Sequence, residues 1–72
     1  MTQERIIVRT TQNLSYAGMI CKKNSEEEGI LIQPSERSNI KVWVPLDEIS
    51  CIIKINGTII EGEGLRDECR LY

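Results

Sequence analysis

Residues 42–57 read VWVPLDEISCIIKING, in which two apolar runs are separated by a proline and followed by an Asn-Gly pair. Pro45 has no N–H group to donate to a continuing ladder, so the first run is predicted to end there as a strand. The three residues Leu46-Asp47-Glu48 leave room only for a tight turn before the second run starts at Ile49. The stretch therefore predicts two short strands joined by a corner of a single turn.

Strand signals fill most of the remaining chain, because β-branched residues dominate and turn residues separate them. No helix signal of useful length is present. Asn56-Gly57 predicts a two-residue type I′ turn that pairs Ile55 with Thr58. Gly18 is expected to permit a bulge, a bend or a close backbone approach. The predicted strands cover about 4–11, 16–23, 29–33, 40–44, 49–55 and 58–61.

Five short antiparallel strands with a one-turn break before the fifth are typical of small β-barrels. Such a corner lets the fifth strand leave the fourth and pair with the first. We therefore expect an all-β fold, a small five-stranded and strongly bent antiparallel barrel with an extra C-terminal strand or hairpin arm. The barrel domain is predicted over residues 1–60, and an acidic C-terminal tail over 61–72.

Two segments carry a family resemblance. Residues 16–20 (YAGMI) and 44–52 (VPLDEISCI) resemble the second strand and the second motif of the Sm-like family, which includes the Hfq-type proteins. The resemblance covers about residues 6–55 and implies a homo-oligomer, a ring in that family, that holds RNA in loops. The chain departs from the family at Pro45-Leu46, where eukaryotic and archaeal members carry Arg-Gly. SH3 domains share the apolar-Pro ending, but their peptide groove needs several aromatics, and this chain has one Trp, two Tyr and no Phe.

The resemblance implies candidate ligand residues in the loop after the second strand. Lys22, Lys23 and Asn24 would offer cations for phosphate and an amide for a base edge. Trp43 is a candidate stacking platform or interface anchor, and Asp47 in the corner completes the candidate ligand set. An ordinary solvated turn, and packing of the tryptophan on the C-terminal tail, explain the same residues without a ligand.

Unpaired isoleucine-rich edge strands promote aggregation, so we expect self-association. The resemblance implies how the edges are covered, because Sm-like rings pair the fourth strand of one subunit with the fifth strand of the next. The strand after Asn56-Gly57 either lengthens that contact or caps the edge. The interface residues expected there are Trp43, Ile49, Cys51 and Ile53.

Charge and cysteine content exclude several classes. The net charge is −2, whereas binders of duplex DNA and of membrane surfaces are normally basic, and no apolar run is near the ~18 residues that span a bilayer. The chain has three cysteines, no CxxC pair and no histidine, so neither a zinc site nor another cofactor is expected. The cysteine pattern indicates a reducing, cytoplasmic setting, with Cys21 and Cys51 buried and Cys69 exposed in the polar tail.

Catalysis is not expected either, because no serine or cysteine has a visible base partner and no Gly-rich phosphate loop is present. In the first strand, Arg5, Ile7 and Arg9 are predicted to face outward, opposite to Ile6 and Val8. Two functions stay open. One is a non-enzymatic Sm-like oligomer that holds RNA or a small nucleotide between subunits. The other is a small adaptor or inhibitor, of the size that phages and mobile elements encode, that binds a host protein through an edge strand and the acidic tail.

Overall fold

The computed structural model describes residues 4–23 and 26–70. Within them the chain forms one antiparallel sheet of six strands, a 3-10 turn over Leu46–Glu48 and one short helix, α1, over Gly64–Arg70. No helix in this part of the chain is long and apolar enough to cross a membrane. The strands are β1 (Arg5–Thr10), β2 (Ser15–Cys21), β3 (Gly29–Gln33), β4 (Val42–Pro45), β5 (Ile49–Lys54) and β6 (Ile59–Glu61), in the order β4-β3-β2-β1-β5-β6.

The corner after β4 forms as predicted. Pro45 ends the strand with extended backbone (φ −67°, ψ 151°), the next three residues form the 3-10 turn, and β5 begins at Ile49. β5 then pairs antiparallel with β1, with Val8 opposite Ile52. The corner thus carries the chain from β4, at one edge of the sheet, to the far side of β1.

The prediction of a closed five-stranded barrel is wrong, because the sheet is open and has six strands among the described residues. β5 pairs with β1 on one side and with β6 on the other, so that Ile53 lies between Ile7 and Ile59. Each edge of a strand offers one set of ladder hydrogen bonds, and both edges of β5 are therefore occupied. β4 is also short and ends in Pro45, which limits the ladder that it could form.

The hairpin between β5 and β6 forms, but not with the predicted two-residue turn. The Lys54 N–H donates to the Thr58 carbonyl (2.8 Å), and the Gly57 N–H donates to the Lys54 carbonyl (2.9 Å). The loop therefore has three residues, 55–57, with the positive φ (91°) at Gly57. This geometry, a turn followed by a left-handed glycine, is the common three-residue hairpin. Asn56 Oδ1 accepts a hydrogen bond from the Thr58 N–H (3.0 Å).

The predicted close approach at Gly18 is confirmed. A Cβ atom there would overlap the carbonyl oxygen of Gln33 and lie 2.8 Å from Ile32 Cγ2. A larger residue would have to displace the backbone of β3, since a carbonyl oxygen within a ladder has no room to move. Gly18 therefore holds β2 and β3 at a separation that positions the core isoleucines.

The segment predicted as an acidic tail contains α1, so the expectation of no helix is wrong. Leu65 and Cys69 are four residues apart on one helix face and are 6% and 0% exposed. They pack in the same core as Val8 and Ile52. Cys69 is therefore buried rather than exposed, and burial raises the pKa of its thiol above the ordinary value despite nearby Lys23. The helix contacts β3, β5, β6 and the 3-10 turn, so it covers the open side of the bent sheet.

Candidate functional site

The two candidate lysines after β2 have different surroundings. Lys22 is exposed. Lys23 Nζ donates to the carbonyls of Glu27 (2.6 Å) and Cys69 (3.2 Å). The Cys69 carbonyl belongs to the last turn of α1, where carbonyls lack intrahelical partners and carry the negative end of the helix dipole. Lys23 therefore caps α1, while Asn24 lies outside the described residues.

Acidic residues surround the same end of the sheet. Residues 26–28 are three glutamates in the same loop, directly before β3. The Leu46 N–H donates to the Glu28 carbonyl (3.0 Å), which brings the 3-10 turn with its exposed Asp47 beside them. Exposed Lys22 lies in the same loop, and Arg66 of α1 forms an ion pair with Glu28 (Nε to Oε2, 3.2 Å). This end of the sheet therefore carries charges of both signs.

Trp43 is a packed residue on the face of the sheet that it shares with Gly29 and Leu31. A Cβ atom at Gly29 would lie 2.6 Å from Cζ2 and 2.7 Å from Cη2 of the indole, so the ring rests directly on the glycine backbone. The tryptophan also lines a cavity of about 90 Å³ together with Leu14 and Tyr16. The ammonium group of Lys23 is instead bound by the carbonyls of Glu27 and Cys69.

We expect Lys23→Ala to lower the free energy of unfolding by about 1 kcal/mol, because two carbonyls lose a charged donor that is partly exposed to water. Lys22→Ala is the matched control, and its exposed side chain should change stability by less than about 0.5 kcal/mol. Urea titrations followed by the fluorescence of the single tryptophan measure both. Equal losses in the two variants would contradict the assignment of Lys23 as the helix cap.

The predicted interface residues are divided between the core and the outer face. Ile49 is 5% exposed and lies in the core, so its side chain is not available to a second subunit. Cys51 and Ile53 are half-buried on the opposite face. β6 caps the free edge of β5, which is one of the two alternatives given for the additional strand. The free edges of the described sheet are β4 and β6.

The outer face of the sheet, opposite the core, carries a continuous apolar row. Ile7 lies directly opposite Ala17 on β2 and Ile53 on β5, and Ile53 lies opposite Ile59 on β6. Ile7 is 40% and Ile59 59% exposed, Ala17 is exposed and Ile53 is half-buried. We call these four residues (Ala17, Ile7, Ile53 and Ile59) the outer row.

A groove of about 240 Å³ lies beside three members of this row, Ala17, Ile7 and Ile53. Ile55, which is 81% exposed, extends the apolar surface beyond the end of β5. Grouped apolar side chains on an exposed face are a feature of interaction sites. The residues that line the groove are Arg5, Ile6, Ile7, Ala17, Gly18, Pro34, Ile53, Lys54 and Ile55.

Of the outer row, sequence analysis named only Ile53 as a candidate. The alternation of β1 already placed Ile7 on the outward face, which is a signal for a surface apolar site. The strand register was missing, since it is the pairing of β1, β5 and β6 that aligns Ile7 with Ile53 and Ile59. Apolar residues that look scattered along the chain therefore form one row.

Among the residues that the structure describes, no group of three or more Cys, Asp or Glu side chains is placed to hold a metal ion. The outer row and its groove are therefore the candidate binding surface. Comparison of the chain with protein-family models, with curated proteins and with solved structures finds no match in any of the three.

Proposed function

We propose that the protein is a non-enzymatic interaction module that binds another protein through the outer row. The observation that carries this proposal is the alignment of four apolar side chains across four paired strands on the face that the core does not use. Because the strands fix the backbone of every member of the row, little conformational freedom is lost when a partner covers it. The surface is thus organised before binding.

This proposal keeps the adaptor hypothesis but moves its contact surface. An adaptor that uses a free acidic tail fits less well, because Leu65 and Cys69 hold α1 in the core. The edges of β4 and β6 stay available for strand addition. The three-residue β6 is short for that purpose, so the outer row offers the larger contact.

An Sm-like oligomer that holds RNA or a small nucleotide is a second candidate. In its favour, β5 pairs with β1 after a one-turn corner, and the corner lies beside the loop after β2 through the hydrogen bond between Leu46 and Glu28. Exposed Lys22 is near by in sequence. The glutamates at 26–28 and the use of Lys23 by α1 weaken this candidate. The Sm-like relation itself is likewise a proposal that the strand order supports.

Selection of phage-displayed random peptides on the immobilised protein tests the proposed function. We expect enriched peptides to compete with one another for one site. The double variant Ile7→Asp/Ile59→Asp should weaken them at least about tenfold, which corresponds to about 1.4 kcal/mol. Both positions are exposed, so the substitutions should leave the fold intact, as the fluorescence of Trp43 can verify.

The matched control is Ile40→Asp, because Ile40 is 70% exposed and lies outside the outer row. It should leave peptide binding unchanged. Failure to enrich any peptide, or equal binding to all three proteins, would contradict the proposed function. Nucleotide that copurifies with the protein, seen as a raised ratio of absorbance at the nucleic-acid and protein maxima, would favour the second candidate.

A further inference from the structure

We infer that the partner segment bound by the outer row is acidic, with apolar side chains flanked on both sides by Asp or Glu. This inference rests on the proposed function and adds the chemistry of the partner. Arg5 and Arg9 carry it, because they lie on β1 on either side of Ile7 and share its face of the sheet.

The two arginines are free to meet a partner. Both are exposed, and neither has an ion-pair partner among the residues that the structure describes. Their cross-strand neighbours are uncharged, with Met19 opposite Arg5, and Ser15 and Cys51 opposite Arg9. An exposed guanidinium without a carboxylate nearby keeps its full capacity for bidentate binding of one.

The charge of this face is opposite to that of the whole chain. Arg5 and Arg9 contribute two positive charges, and the acidic side chain on the same face of these four strands is Glu61, opposite Cys51 on β6. Glu61 lies two strands from β1, about 10 Å away, and leaves the face at +1. The chain as a whole carries −2, so the face with the outer row differs in sign from the chain.

The distance between the two arginines and the length of the outer row indicate the secondary structure of the partner segment. Arg5 and Arg9 are four residues apart, about 13 Å along a strand, with Ile7 midway. The outer row crosses four strands at right angles to that line and spans about 14 Å. A helix of about three turns laid along the row covers this distance. Its apolar residues at i, i+3 or i+4, and i+7 would face the row, while acidic residues on its two flanks would meet the two arginines.

Other occupants fit less well. A second copy packed face to face would bring two pairs of arginines around the same apolar centre, and like charges across an interface are unfavourable. Single-stranded RNA would gain from the arginines, but bases bind by stacking on aromatic rings. The outer row is aliphatic, and Trp43 rests on Gly29 instead.

The test uses the peptides selected on the wild-type protein, together with synthetic variants of them. We expect the selected peptides to carry a net negative charge. Arg5→Glu/Arg9→Glu should weaken them at least about tenfold at low salt and less at high salt. Replacing the acidic residues of a peptide by lysine should abolish binding to the wild-type protein and restore it to the charge-reversed variant. The control Lys22→Glu/Lys41→Glu changes net charge equally at exposed positions outside the groove and should not weaken binding.

The outcomes separate this inference from the function on which it rests. Neutral or basic peptides that require Ile7 but ignore the arginine variant would overturn the inference and keep the interaction module. Peptides that ignore Ile7 would overturn both. Light scattering that shows a dimer lost in Ile7→Asp would assign the face to a second copy and overturn the inference. Binding of an RNA oligonucleotide or of anionic lipid vesicles that requires both Ile7 and the arginines would overturn it as well.

Discussion

Leu65→Ala should lower the free energy of unfolding by about 2–5 kcal/mol, the usual range for truncation of a buried leucine. Leu65 is 6% exposed and belongs to one core cluster with Cys69 and with residues from five of the strands. A domain of this size seldom has more than about 3–5 kcal/mol of stability in total. Deletion of residues 62–72 should therefore leave a chain without a cooperative unfolding transition. Urea titration followed by circular dichroism and by tryptophan fluorescence measures both effects.

The matched control is Arg66→Ala, one position along the same helix. Arg66 is exposed and forms an ion pair with Glu28 (Nε to Oε2, 3.2 Å), and such surface pairs contribute about 0–1 kcal/mol. A change in Leu65→Ala no larger than that in Arg66→Ala would show that α1 does not close the core in solution. The same result would remove the assigned role of Lys23 as its cap.

Local signals were sufficient to predict most strands and the corner. Val42–Pro45, the three residues of the 3-10 turn and Ile49–Lys54 form as the sequence indicated, because a proline at the end of an apolar run has few alternatives. The pairing of β5 with β1 also follows from the corner, since a single turn between two strands redirects the chain sharply. These features depend on neighbours in sequence.

Whether the sheet closes and whether the helix forms depend on contacts between segments that are distant in sequence. Local sequence signals do not report these contacts. The edge of β5 that β1 leaves open pairs with β6 through a loop of only three residues, 55–57, which keeps the entropic cost of closure low. The connection from β4 is equally short, but its 3-10 turn redirects the chain, and β5 pairs with β1 instead of β4. α1 has seven residues and too few apolar side chains for a periodic signal. The helix forms because the side chains of Leu65 and Cys69 are buried in the core. Helix propensity alone does not report this tertiary packing.

The candidate site shows the same division. Lys23 is a plausible ligand residue in the sequence, but α1 supplies carbonyls for its ammonium group. Ile7 looks like an ordinary exposed isoleucine until strand pairing places it between Ala17 and Ile53. The alternation of residues in β1 correctly predicts that Ile7 faces outward. Only the register of β1 against β5 shows that Ile7 belongs to the outer row. A site made of one residue per strand is thus the kind that sequence alone reveals least.

We expect Lys54→Ala to lower the free energy of unfolding by about 3 kcal/mol. Lys54 Nζ lies 2.8 Å from Glu68 Oε1 and 3.5 Å from Glu4 Oε1. The Glu68 side chain is only 11% exposed, so the variant leaves a nearly buried carboxylate without the ammonium group that it faces. Removing one partner of such a pair typically costs about 3–5 kcal/mol because the remaining charge stays desolvated. Urea titration with tryptophan fluorescence gives the value.

A double-mutant cycle separates loss of the pair from loss of packing. Lys54→Met/Glu68→Leu replaces the pair by apolar side chains of similar length, and stability should return to within about 1 kcal/mol of the wild type, because no charge is left buried. Glu4→Ala should cost less than Lys54→Ala, since the Glu4 carboxylate is farther from the ammonium group and its side chain is 35% exposed. Lys54→Met alone keeps the length of the stem and should be about as unstable as Lys54→Ala, because Glu68 still loses its partner. If Lys54→Met were instead as stable as the wild type, the loss in Lys54→Ala would come from the packing of the lysine stem along β5. The pair would then contribute nothing that holds α1 to the sheet.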